Sequence, residues 1–177
     1  MHIASLLHAI CADLTRTFPG LAACTPCLGD LAPETIPEGG DDGPRAWVAL
    51  AGADTALETA TGEWDLPLSL EAVIAGPVTP DATLLNLVEG LLAHIPGTTW
   101  GLASAHPAGG VEARGCPSHP LASGERAVWT LTWNQMLRLG ESLWTSPAQH
   151  PTRLFTGQAP NIGPGHEGDY TTLEVTP

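Results

Sequence analysis

The chain has 177 residues, 43% of them hydrophobic and only 14% charged, with 20 Gly, 17 Pro and a net charge of −13. That length suits one domain with a sizeable core, and the apolar share excludes a disordered chain. Six Arg and no Lys face 19 carboxylates, which excludes a basic patch for nucleic acid or anionic membranes.

No stretch approaches the run of about 18 apolar residues that crosses a bilayer. The N-terminus has no basic region leading into an apolar run and a cleavage site, so no signal peptide is expected. Four Cys are too few for a disulfide scaffold in a chain of this size, and synthesis in a reducing compartment is the default.

Ile3, Leu6, Leu7, Ile10, Leu14 and Phe18 fall on one helical face, which predicts a first helix that Pro19-Gly20 ends. Asp13 and Arg16 point elsewhere. Residues 20–45 are rich in Pro, Gly and acid and read as a long loop with room for a short strand at its start. Arg45 to Ala51 is an apolar run of strand length, and Gly52 to Gly62 is a turn or hairpin connection.

Glu63 to Ala75 alternates. Trp64, Leu66, Leu68, Leu70, Ala72 and Ile74 face one way, with Asp65, Ser69 and Glu71 between them and Val73 as the exception. This is a strand with one buried and one wet face. Pro67 cannot donate to a ladder, so the strand is expected at an edge or bulged there. Thr79-Pro80-Asp81 reads as a helix start, with Thr as N-cap. Leu84, Leu87, Val88, Leu91, Leu92 and Ile95 supply that helix's apolar side, and Pro96-Gly97 closes it. Residues 98–124 are irregular.

Ala127 to Gly140 is the strongest strand. Ala127, Trp129, Leu131 and Trp133 alternate with Val128, Thr130, Thr132 and Asn134, so two tryptophans load one face of a sheet. After Gly140 periodicity fades, with short strands expected at Arg153–Thr156 and Tyr170–Val175. The fold class is α+β: a small, mostly antiparallel sheet, two helices packed on one face, long irregular loops and an extended C-terminal arm. Residues 1–145 form the α+β domain and 146–177 the arm of the same domain.

Cys24 and Cys27 form a C-x-x-C, and Cys116 and His119 a C-x-x-H. Three thiols and an imidazole suit a structural tetrahedral zinc. The competing reading is loop cysteines of no special role, because only folding could join two pairs so distant in sequence. A small zinc-binding adaptor is therefore the alternative function; otherwise no cofactor is expected. A redox role for Cys24 and Cys27 fits less well, since that motif usually opens a helix after a strand. His94, late in the second helix, is expected to cap it. There is no G-x-S-x-G and no phosphate loop, and without Lys no Schiff base forms. No nucleophile, base and orienter converge, so no enzyme is expected.

The pattern A-x-W-x-x-T-W-x-Q-x-x-x-L-G, at Ala127, Trp129, Thr132, Trp133, Gln135, Leu139 and Gly140, resembles small neck and tail-completion proteins of tailed phages. The order of elements and the closing segment from Ala159 to Tyr170 add to the likeness. The family named is the tail terminators, in particular those of Mu-like phages with contractile tails. The resemblance implies an α+β protein that forms a hexameric ring, caps the tail tube and joins it to the head-side connector. Implied partners are further copies of itself, the tail tube protein, connector or neck proteins, and the sheath. It implies no membrane and no sequence-specific nucleic acid, with DNA passing through an acidic lumen. The implied location is the virion tail or neck, and the host cytoplasm during assembly. The arm would reach a neighbour, placing Pro160, Asn161, Ile162 and Tyr170 at a subunit interface.

Overall fold

A computed structural model describes residues 2–29, 31, 43–79, 82–143 and 153–174. The chain divides into two compact units, Met1–Gly140 and Glu141–Pro177.

In the first unit the elements run α1 (Ile3–Thr17), β1 (Ala23–Cys27), β2 (Arg45–Ala53), β3 (Leu57–Glu58), β4 (Trp64–Pro77), α2 (Thr83–His94), β5 (Gly109–Gly115) and β6 (Arg126–Leu139). The fold is α+β. Its sheet follows the order β1-β2-β4-β6-β5, with β3 on β4. Every pairing is antiparallel except β1 with β2.

The spine is the β4–β6 ribbon, paired without interruption from Trp64↔Leu139 to Pro77↔Arg126. Period-two burial explains it. Leu68, Leu70, Ala72 and Ile74 from β4 share one face with Leu131, Trp133 and Leu137 from β6. Both helices cover that face, through Leu6, Leu7, Ile10 and Leu14 of α1 and Leu84, Leu87, Val88 and Leu91 of α2. Each fully buried aliphatic side chain contributes about 1.5–3 kcal/mol against exposure.

Val73 breaks the alternation because the other face is partly covered too. Trp47, Val73, Ala75 and Val128 form a second small core there, against Leu31, Leu121 and Ala122. Pro67 corrects the edge-strand expectation, for β4 is central. The partner on one flank changes from β2, ending at Ala53↔Leu68, to β3, starting at Asp65↔Leu57. Pro67 sits at that gap, where its carbonyl accepts from the Asp54 N–H at 3.0 Å and no ladder asks it to donate. The second helix also starts later than expected: its N-cap is Ala82 in a left-handed conformation (φ 55). Pro80 and Asp81 of the expected start lie outside the described residues.

The second unit pairs β7 (Arg153–Thr156) antiparallel with β8 (Thr171–Glu174). A 3-10 turn at Glu167–Asp169 lies between them. The arm is therefore a folded hairpin unit over its described part rather than an extended strap.

Candidate functional site

Strand geometry decides where the four candidate metal ligands go. Cys24 and Cys27 both lie on β1, three residues apart, so their side chains leave opposite faces of the sheet. Cys24 packs against the helix-side core, while Cys27 joins the second core on the other face. Cys116 and His119 share a turn after β5, where the His119 N–H bonds the Cys116 carbonyl at 3.1 Å. β1 and β5 are opposite edges of the sheet, four strand spacings or roughly 19 Å apart. The fold does not bring the two pairs together, and the described residues hold no cluster of three or more His, Cys, Asp or Glu suited to a metal.

Each thiol has local company instead. The Cys24 thiol is hydrogen-bonded to Cys11 of α1, and that bond, with burial, holds it far above the usual thiol range. Burial also pushes the Cys27 thiol up. Cys116 Sγ lies 3.2 Å from Thr130 Oγ1. All four cysteines are free.

Three polar clusters that sequence reasoning missed tie the first unit together. Asp13 receives Arg16 and also meets His94, whose Nε2 lies 2.7 Å from Asp13 Oδ2. His94 further makes edge contacts with the rings of Phe18 and Trp100. It thus links α2 to α1, which corrects its expected role as a helix cap. The second cluster centres on Gln135, the only buried polar side chain among the described residues. Its carbonyl oxygen accepts from Trp100 Nε1 at 2.8 Å, and its amide donates to the His106 carbonyl. In the third, Arg138 donates to both oxygens of Asp65 at 2.9 and 3.0 Å. The guanidinium holds the Asp65 carboxyl below the usual carboxylate range, and the approach of His106 adds to this.

These clusters explain the tryptophan motif. Trp133 and Gln135 are buried, and the Trp133 ring lies tilted at 51° against Trp100, their centroids 6.3 Å apart. They anchor the 95–108 loop to β6. A polar residue on the apolar phase of a strand was the available signal for Gln135, because such a group must find partners. Around the motif, Asp13 pairs with His94 and Asp65 with Arg138.

Exposed apolar surface lies elsewhere. At the Pro77 end of the ribbon two concavities of about 300 and 260 Å³ share Val78, Ala127 and Trp129. Leu85 of α2 borders the smaller one, and Arg126 the larger. Trp64 stands 45% exposed at the opposite end. Of the expected interface residues, Pro160, Asn161 and Ile162 are exposed. Tyr170 is half-buried and works inside its own unit: its hydroxyl accepts from the Gly163 N–H at 2.8 Å, and its ring fills the space beside Gly157.

Compared with known proteins, the chain matches no family model. No curated protein sequence matches it either. No helix among the described residues is long and apolar enough to cross a membrane.

Proposed function

We propose that this chain is a structural assembly protein of a tailed-phage-like particle, a terminator or neck ring that caps the tail tube and joins it to the head-side connector. The observation that carries the reading is the second unit. Its sheet has only two strands of four residues each, and an isolated two-stranded hairpin is marginal in water. Yet Phe155 and Ile162 are more than half exposed on it. A small unit that leaves large apolar groups uncovered is suited to packing on another surface, and in a ring that surface belongs to a neighbour. The net charge of −13 suits a lumen that DNA must traverse without sticking. The resemblance of the Ala127–Gly140 pattern to tail terminators supplies the identity of the assembly.

The test is direct. Purified protein is mixed with tail tubes that lack an end cap and imaged by electron microscopy. The expected result is a ring of density at one tube end and arrest of further tube growth. Tubes that grow unchanged and carry no added density would refute the role. The zinc-adaptor alternative is not favoured by the placement of Cys24, Cys27, Cys116 and His119, and elemental analysis of the purified chain checks it independently.

A further inference from the structure

β5 is one edge of the sheet, and its bonding to β6 fixes which of its backbone groups point outward. The Cys116 N–H donates to the Val128 carbonyl at 2.8 Å, continuing the register Gly115↔Trp129 and Arg114↔Thr130. Hydrogen-bonded and non-hydrogen-bonded pairs alternate along an antiparallel ladder, so Arg114 and Glu112 bond inward to β6. The Ala113 N–H and carbonyl, the Gly115 N–H and the Val111 carbonyl point away from the sheet. Among the described residues, none accepts or donates a hydrogen bond to these groups. The bulge between Gly109 and Glu112 ends the regular edge there.

Side chains alternate along the same strand. Val111 and Ala113 pack on the helix-side core. Glu112 and Arg114 stand on the other face, in the phase of their partners Thr132 and Thr130. Their side chains are 64% and 81% exposed and lie 3.3 Å apart. An acid and a base flanking Ala113 make a self-complementary pattern. If β5 pairs antiparallel with β5 of a second copy about Ala113, Glu112 of each copy faces Arg114 of the other. They occupy a non-hydrogen-bonded position, where side chains approach most closely. The same register sets each Ala113 N–H on the other copy's Ala113 carbonyl, and each Gly115 N–H on the other's Val111 carbonyl. Sliding either strand by two residues would instead set Glu112 against Glu112 or Arg114 against Arg114, so charge selects this one register. The opposite edge, β1, has no charged side chain to set a register.

We infer that two copies of this chain associate through β5, antiparallel about Ala113, into one continuous sheet across a two-fold axis. Charged side chains ordinarily discourage edge pairing; opposite signs on the two sides of the axis reverse that effect. In a chain of net charge −13, this edge carries one acid and one base, so copies can approach there without repulsion. A two-fold contact joins like surfaces and closes at a pair. It therefore goes beyond the proposed ring, whose contacts join unlike surfaces.

Charge reversal tests the contact. Glu112→Arg and Arg114→Glu each set like charges across the axis, and both alter exposed side chains; circular dichroism with thermal melting verifies that they fold. Sedimentation velocity over a concentration series should show the wild-type chain in a monomer–dimer equilibrium, with each variant's association weakened by at least about tenfold. An equimolar mixture of the two variants should regain the dimer, because one presents only bases at this edge and the other only acids. The double variant Glu112→Arg/Arg114→Glu should regain it alone. A wild-type chain with no dimer at any concentration, a single variant that pairs as the wild type does, or a mixture as weak as its components overturns the contact. The capping of tail tubes decides the ring role separately.

Discussion

The side chain of Gln135 shows how much a single residue can hold in this molecule. It satisfies Trp100 Nε1 and the His106 carbonyl, both in the segment that carries Trp100 at a left-handed φ of 56. Gln135→Leu should cost about 1–3 kcal/mol in urea unfolding, since it strands the buried Trp100 Nε1–H without an acceptor; a loss under 0.5 kcal/mol would contradict this account. Asp65 makes a pH-dependent contribution. Its folded carboxyl is depressed by Arg138, so the stabilisation is complete above the unfolded value near 4 and is lost as pH falls through the lower folded value. Asp65→Asn should therefore lower the melting temperature at neutral pH, with the gap to wild type narrowing below about pH 4. A gap that does not change with pH would refute it. Cys24, raised by its bond to Cys11 and by burial, should resist alkylation in the folded protein and react once unfolded, as mass spectrometry would show. None of these partnerships was legible in the sequence, because Trp100, His106 and Gln135, or Cys11 and Cys24, meet only through tertiary packing.

At the scale of elements, periodicity was informative wherever one face is buried. Both helices, β4 and β6 follow from their apolar spacing, and so does the placing of the helices on one side of the sheet. β5 was hidden because its sequence GGVEARG has two glycines at its start and a bulge between Gly109 and Glu112. The parallel pairing of β1 was hidden because register between strands well separated in sequence leaves no local trace. The C-x-x-C read as a metal half-site only while its segment was taken as a loop; as a strand it cannot present both thiols to one ion. The contact of the two helices is testable at Gly90, where a Cβ would come within 2.8 Å of Phe18 Cε1. Overpacking costs about 1–3 kcal/mol against about 1 kcal/mol gained in helix propensity. Gly90→Ala should thus lower stability by up to about 2 kcal/mol, and a stabilised variant would mean that Phe18 moves freely aside.

For the whole molecule, the division at Gly140 matters most. The helix-side core and the smaller core behind the sheet lie wholly in the first unit. A chain ending at Gly140 should therefore fold, with a far-UV spectrum and cooperative melt like those of the full chain, while failing to cap tail tubes. The most direct measurement of the central claim, that the second unit grips other copies, is isotope-coded cross-linking of assembled particles. With no Lys in the chain, a carboxyl-directed dihydrazide is the reagent. Links from Asp169 to acids within residues 2–140 should join labelled to unlabelled chains; if every such link stays within one chain, the claim fails.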